Sequence, residues 1–394
     1  MRNNKKRVIF FAETVTLAHL TRCLIIAKAL HETGKYIVAL AADKRFDDII
    51  DHSFLIRFPL NTISCAEFTF QLQKGLPVYN TKTLIRYVKD DLTVIEQFRP
   101  DFIFGDFRLS LGISSRLKKI PYANITNAYW SPYAKMEYPI PEIFLINIFG
   151  VPFAQKIFNA TKNLIFYIHS LSFNNACKKF GVKPLTNDMR DIYTYGDFTI
   201  YADIESLLPM KTLPENHFFI GPISWSANLP TPEWWPTLPN DKPIVFVTLG
   251  SSGDNSLLPM IIKTLSQMPV TVICATLKKT TIDKDYPNVF LAEFLPAEMV
   301  VKKSDIVICN GGSPMIYQSL VENKAIIGIP SNLDQYLMMS LIKEANRGYL
   351  IRAGQANPLL IREAVNKAIE NTPSSHYEKP ALALNKIMAL IDLN

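Results

Sequence analysis

The run Asp305-Ile306-Val307-Ile308-Cys309-Asn310-Gly311-Gly312-Ser313-Pro314 decides how the rest of the chain is read. Its four consecutive apolar residues, Ile306–Cys309, suit a strand buried on both faces of a parallel sheet. Paired glycines end the strand, and Pro314 fits the first turn of a helix expected over Pro314–Asn323. Such a turn offers free backbone N–H groups and the positive end of the helix dipole, a ready site for a diphosphate. Outward from it, strands are predicted at Ile244–Leu249, Val270–Ala275, Val289–Ala292, Ala325–Ile329 and Tyr349–Ile351, with a helix at Asp334–Ala345. The N-terminal half repeats the alternation. Strands are expected at Arg7–Ala12, Tyr36–Ala41, Phe102–Gly105 and Tyr122–Ile125, with helices near Ala18–Thr33 and Leu109–Lys118. Alternating strands and helices predict an α/β fold with doubly wound parallel sheets.

At 394 residues the chain is too long for one core and fits two Rossmann-like domains. The boundary lies where the composition changes. Between Gly221 and Pro243 stand Pro222, Pro230, Pro232, Pro236 and Pro239, with Trp225, Trp234 and Trp235 among them. The expected division is residues 1–225, an aromatic-anchored linker at 226–242, a second domain at 243–375, and a C-terminal helix within 376–394 that packs back on the first domain. The two sheets are expected to face a central cleft, since ligands bind beyond the carboxyl ends of parallel strands.

Composition removes several function classes. Apolar residues make up 48% and charged residues 20%, as in an ordinary folded protein. The five cysteines show no CxxC spacing, which suits reduced thiols in a cytoplasm and gives no zinc site. Net charge is +7, and the surplus lies before residue 241, but no basic stripe interleaved with aromatics points to nucleic acid. The apolar stretch Ile143–Leu171 is broken by Gly150, Pro152, Lys156 and Lys162, so no membrane span is expected. No GxGxxG follows either first strand, which argues against a dinucleotide-dependent oxidoreductase. The one DxD-like string, Asp283-Lys284-Asp285, reads as solvated charge in a polar loop, and no metal site or cofactor is expected.

Two further turns belong with the glycine pair. Leu249-Gly250-Ser251-Ser252-Gly253 follows a buried strand, where glycines let the backbone approach a ligand and Ser251 and Ser252 donate to phosphate oxygens. Pro330 closes another strand ahead of Asp334-Gln335. Asp334 reads either as a helix cap or as a partner for sugar hydroxyls.

In this order and spacing the segments resemble the family-1 glycosyltransferases, the UDP- and macrolide-glycosyltransferase group of GT-B architecture, over nearly the whole chain. Gly221-Pro222, Leu238-Pro239, Lys242-Pro243 and Gly250-Ser251 match the family's run into its first C-terminal strand. Phe294-Leu295-Pro296 matches its base-binding segment, which implies Phe294 stacked on a pyrimidine with Leu295 beside it. Asn310-Gly311-Gly312, Ser313, Gln318, Ile329-Pro330 and Asp334-Gln335 are similar to its donor signature. The resemblance implies a diphosphate after Asn310 and a donor sugar at Asp334 and Gln335. The chain departs from the family at Asn310 (for His), Met315 (for Ser or Thr), Gln318 (for Glu), Met338 (for Asn) and Ala297 (for Gln).

In the N-terminal half, Ala18-His19-Leu20-Thr21-Arg22 resembles the family's GHxxP segment, with Arg22 in place of the proline. The resemblance makes His19 the catalytic base and Asp106 its acidic partner. A helix start favours the neutral imidazole, and a strand-end carboxylate fixes its tautomer. The implied reaction is inverting, metal-independent transfer from a UDP or TDP sugar to a hydroxyl of an apolar small-molecule or lipid acceptor. The expected location is cytoplasmic, with peripheral membrane contact through the basic N-terminal half. A silent relative that binds nucleotide or a partner protein, and a sugar-nucleotide epimerase, are the competing readings.

Overall fold

The computed structural model describes residues 5–226, 229–282, 285–371, 377 and 381–394. Asp283, Lys284 and His376 lie outside these residues. The chain divides into two compact units. The first holds Met1–Met136, Pro152–Ile223 and Pro380–Asn394, and the second Glu137–Val151 and Ser224–Lys379. Glu137–Val151, expected in the first domain, thus clusters with the second unit.

In the first unit seven strands, β1 (Lys6–Ala12), β2 (Tyr36–Ala42), β3 (Ile56–Pro59), β4 (Phe102–Asp106), β5 (Tyr122–Thr126), β6 (Phe198–Tyr201) and β7 (His217–Phe219), form one sheet. Their spatial order is 3-2-1-4-5-6-7 and every pairing is parallel. The second unit holds β8 (Ile244–Thr248), β9 (Thr271–Ala275), β10 (Val289–Ala292), β11 (Ile306–Cys309), β12 (Ala325–Gly328) and β13 (Gly348–Leu350). Their order, β10-β9-β8-β11-β12-β13, is also wholly parallel. Each sheet therefore reverses its winding beside its first strand, at β1/β4 and at β8/β11. That reversal opens a crevice at the strands' carboxyl ends.

Burial explains the apolar runs. All four residues of β11 are 1% exposed or less because helices cover both faces. Val245, Val247, Ile306, Ile308 and Ile327 share one core with Ile261, Ile262 and Leu265 of the helix Leu258–Leu265, and with Ile361 and Val365 of the helix Pro358–Glu370. Each such burial contributes roughly 1.5–3 kcal/mol. In the first unit, Ile9, Phe11, Ala39 and Ile103 pack against Val94, Ile95 and Phe98 of the helix Thr81–Phe98.

The helix Phe144–Lys179 is kinked at Gly150 (φ 70°, ψ 164°), with Pro152 just beyond. Among the described residues no helix is long and apolar enough to cross a membrane. The terminal helix Leu384–Leu393 buries Ile387 and Ile391 in the first unit, where Lys6 Nζ donates to the Ile391 carbonyl at 2.7 Å.

Candidate functional site

In the first unit, β1 leads through a short loop into the helix Leu17–Glu32, and His19 lies in that helix's first turn. Asp106 ends β4, directly beside Ala12 of β1 in the ladder. Strand pairing thus brings the imidazole and the carboxylate together across 87 residues of sequence, His19 Nδ1 lying 2.7 Å from Asp106 Oδ1. Asp106 is fully buried, whereas the His19 side chain keeps 17% of its surface exposed.

Arg22 completes the cluster. Its Nε donates to Asp106 Oδ2 and its Nη2 to Oδ1, both at 2.7 Å, while Nη1 donates to Asn127 Oδ1 at 2.7 Å. Asn127 Nδ2 in turn donates to Asp203 Oδ1 at 2.7 Å, and Asp203 Oδ2 accepts the Ala128 N–H. Burial works against the Arg22 charge, but the Asp106 carboxylate outweighs it and holds the guanidinium well above its ordinary range. Arg22 Nη2 also lies 3.1 Å from His19 Nδ1. A guanidinium only donates and an ionised carboxylate only accepts. A nitrogen 2.7 Å from that carboxylate must therefore carry the proton, so Nδ1–H faces Asp106 and the Nε2 lone pair is left for a substrate. An imidazole held this way by a carboxylate can act chemically as a general base.

Phe107 lies flat on His19, ring centroids 4.9 Å apart and planes 9° from parallel. Its φ of +56° is costly for a bulky side chain and re-aims the ring after Asp106. Phe68, Tyr79 and Tyr193 surround Phe107 with centroids 5.3–6.2 Å away. Arg22, Asn127, Asp203 and Phe107 were not among the site residues expected from the sequence. Arg22 was findable, because i,i+3 spacing puts it on the His19 face of the helix.

In the second unit the glycine turns meet at the β8/β11 crevice. Cys309 pairs with Thr248, so Gly250–Gly253 and Asn310–Ser313 leave neighbouring strand ends. Gly312 caps the helix Ser313–Val321, which starts with Ser313 and Pro314. Asn310 Oδ1 accepts the Gly312 N–H at 3.1 Å, and its Nδ2 donates to Ser252 Oγ at 3.4 Å. Asn310 therefore braces the turn. A side chain on Gly253 would strike the Leu249 carbonyl oxygen at 2.2 Å, so only glycine fits there.

The structure brings together Ser252, Asn310, Gly311, Gly312 and Gln335. Ser251 shares the Gly250–Gly253 turn, and Ser313 opens the helix. Gln335 is 1% exposed, and its Nε2 donates to the Ser252 carbonyl at 3.2 Å while its Oε1 accepts the Ser331 N–H at 2.9 Å. It forms a capping box with Asn332 for the helix Leu333–Glu344. Asn332, not Asp334, is thus the cap, since it stands at the extended residue before the helix and its Oδ1 accepts the Gln335 N–H at 3.2 Å. Asp334 sits in the first turn, where the dipole favours its charge. Gln318 is buried within the helix Ser313–Val321. Phe294 is 39% exposed, with Lys278 Nζ 5.9 Å from its ring, and Leu295 is buried. They follow β10, two strands from β8 and therefore about 10 Å across the sheet. Glu142, not expected from the sequence, accepts from Arg352 Nη2 at 2.8 Å and from Tyr336, and its N–H donates to the Ser331 carbonyl.

The glycosyltransferase family 28 C-terminal domain model matches residues 244–392. A PGL/p-HBAD biosynthesis glycosyltransferase of Mycobacterium tuberculosis (strain H37Ra) is 38% identical over 93% of this chain and 85% of its own length. A PGL/p-HBAD biosynthesis rhamnosyltransferase of Mycobacterium bovis (strain BCG) is 37% identical over 96% and 84%. An inactive PGL/p-HBAD biosynthesis glycosyltransferase of the same strain is 37% identical over 67% and 72%. Among solved structures, the glycotransferase of kitacinnamycin superposes with a TM-score of 0.70 at 15% identity, covering 98% of this chain and 94% of that one. A spinosyn rhamnosyltransferase complexed with thymidine diphosphate gives 0.64 at 14%, covering 98% and 96%.

Proposed function

This chain belongs to the glycosyltransferases of GT-B architecture, and from that premise we propose inverting transfer of a sugar from a pyrimidine nucleoside diphosphate to an acceptor hydroxyl. The observation that carries the reading is the His19–Asp106 pair at the crevice of its sheet, with Nε2 unengaged by the carboxylate. In the proposed reaction Nε2 takes the proton of the acceptor hydroxyl, and the oxygen forms its bond to the anomeric carbon. The bond from that carbon to the diphosphate breaks. Negative charge then collects on the leaving diphosphate, where the Gly312 turn and the dipole of Ser313–Val321 stabilise it. Asp106 stabilises the imidazolium while it exists.

For the donor, the thymidine diphosphate bound by the spinosyn enzyme and the rhamnosyl group named for the Mycobacterium bovis relative favour a TDP-deoxyhexose, with UDP sugars as the other choice. Phe294 would stack on the base and Asp334 would meet sugar hydroxyls. With Gln335 bound to Ser252, its part is to hold the phosphate turn. We propose that no metal takes part. In the proposed reaction the leaving charge is met by the Gly312 turn and the helix dipole, so transfer should survive EDTA. The primary test is calorimetry with TDP, UDP and ADP, followed by turnover of TDP- and UDP-sugars on apolar alcohols and phenols. Binding of ADP alone would overturn the donor assignment. Nucleotide binding without turnover on any acceptor would favour the silent reading, which the inactive Mycobacterium bovis relative keeps in play.

The acceptor reading is an apolar molecule presented at a membrane surface. Its support is the stretch Ile143–Gln155, which carries no charged residue. Within it Phe144 is 74%, Ile148 56% and Phe149 46% exposed. Lys156 and Lys162 follow it, and each basic residue near an anionic surface adds about 1 kcal/mol. Flotation with phosphatidylglycerol vesicles should recover more protein than with phosphatidylcholine, and equal recovery would count against membrane contact.

A further inference from the structure

Arg22 stands where the resembling family has a proline, and it is one of the best-connected buried side chains beside the base. We propose that Arg22 is a positioning residue for the reaction, acting through Asp106 to hold His19 in the tautomer that leaves Nε2 free. The inference rests on the base assignment made above for His19.

The geometry carries it in three steps. Asp106 has two oxygens, and Arg22 occupies both, as a planar fork matches a carboxylate. The carboxylate plane is therefore fixed by the helix that also bears His19. Arg22 next reaches Asn127, which is tied to Asp203, so the guanidinium links that helix to residues following β5 and β6 as well as to the end of β4. Finally, Oδ1 receives His19 Nδ1 only if the carboxylate stays in this plane. A free Asp106 could rotate and accept from Nδ1 at other angles, or take up a proton and donate to Nδ1. In the second case Nε2 would carry the hydrogen and His19 could not accept one.

A role in folding alone and a role in positioning differ in what they move. The charged groups facing the cluster are Arg22, Asp106 and Asp203, with His19 at its rim. Arg22→Met removes the cation at similar length, and Arg22→Lys keeps the charge but loses the fork. We expect Arg22→Met to lower kcat by about 10²-fold, the scale of losing an oriented base. Donor KM and the calorimetric affinity for TDP should stay within about twofold, because the nucleotide turns belong to the other unit. Arg22→Lys should recover part of kcat, since one ammonium cannot span both oxygens and Asn127.

A second measurement needs no turnover. In the substrate-free protein, ¹⁵N-histidine spectra should show His19, identified by loss of its signal in His19→Ala, protonated at Nδ1 in the wild type. Mixed Nδ1–H and Nε2–H forms are expected in Arg22→Lys, which keeps a cation beside Asp106 but loses the fork. A wild-type His19 signal in both Arg22 variants, or wild-type kcat in Arg22→Met, would overturn the proposal. If no donor is turned over, the spectra still decide the role of Arg22, while the transferase reading fails separately.

Discussion

Glu13 shows how a single residue can tie stability to pH. It follows β1, is fully buried, and accepts from Arg108 Nη1 at 3.2 Å and from the Tyr87 hydroxyl at 3.3 Å. The same guanidinium serves Asp91 through Nε at 3.0 Å, so one cation is shared by two buried carboxylates. Burial pushes the Glu13 carboxyl up to about 7, against the pull of Arg108. An acid whose folded-state value is raised lends stability that is fully present below its unfolded value of 4.5. That stability is lost as pH rises through about 7. Wild type should therefore lose on the order of a few kcal/mol of this contribution between pH 5 and 8, and Glu13→Gln should lack that slope. Urea midpoints at pH 5, 6, 7 and 8 test this, and parallel slopes for the two proteins would refute it. At the glycine pair, substitution separates folding from binding. Gly311 has φ +83° and a side chain there would meet Met339 Cγ at 2.6 Å, so Gly311→Ala should lower the melting temperature. A side chain at Gly312 meets nothing nearer than Asn310 Oδ1 at 3.3 Å. Gly312→Asp should keep the fold and abolish nucleotide affinity by setting a carboxylate against phosphates, a result read by calorimetry.

At the scale of elements, what was legible followed from burial. The strands Val289–Ala292 and Ile306–Cys309 stand where their apolar runs predict, and the remaining predicted strands shift by a residue or so at an end. Ile306–Cys309 leaves that signature because both its faces are covered, whereas Val289–Ala292, half-buried at the sheet edge, shows it through its apolar residues alone. β3, β6 and β7 went unread because each is too short for its pattern to stand out: β3 is exposed at both ends and carries Arg57, β6 has four residues and β7 three. The helix through Gly150 and Pro152 was hidden for another reason, since both residues ordinarily break helices and here mark a kink. Of the site, the glycine turn, His19 and Asp106 carried sequence signals, whereas Asn127 and Asp203 gain meaning only from strand order. The box at the helix Leu333–Glu344 gives this scale its prediction. Asn332→Ala removes the acceptor for the Gln335 N–H and should cost about 1 kcal/mol. Because Gln335 also holds Ser252, nucleotide affinity should weaken with it. Unchanged affinity at lowered stability would confine Asn332 to the helix.

For the molecule as a whole, the proposed base and the proposed donor turn belong to separate units whose sheets share one winding, so each should be removable without unmaking the other. The prediction that follows concerns how defects combine. His19→Ala should lower transfer by about 10²–10⁴-fold while TDP affinity, set by the second unit, stays at the wild-type value. Asp106→Asn should lower it by a comparable or smaller factor, because an amide can still accept from Nδ1 but no longer balances an imidazolium. It should also melt earlier than His19→Ala, since it leaves the Arg22 cation buried without its carboxylate, a loss of about 3–5 kcal/mol. The double variant should be no slower than His19→Ala alone, as residues acting as one unit lose their joint effect once. Adding Gly312→Asp to His19→Ala should instead remove nucleotide affinity that His19→Ala leaves intact. Rates and calorimetry on the same four proteins test all of this together. A His19→Ala enzyme with undiminished turnover, or a double variant slower by the product of the single losses, would show that His19 and Asp106 do not work as a pair.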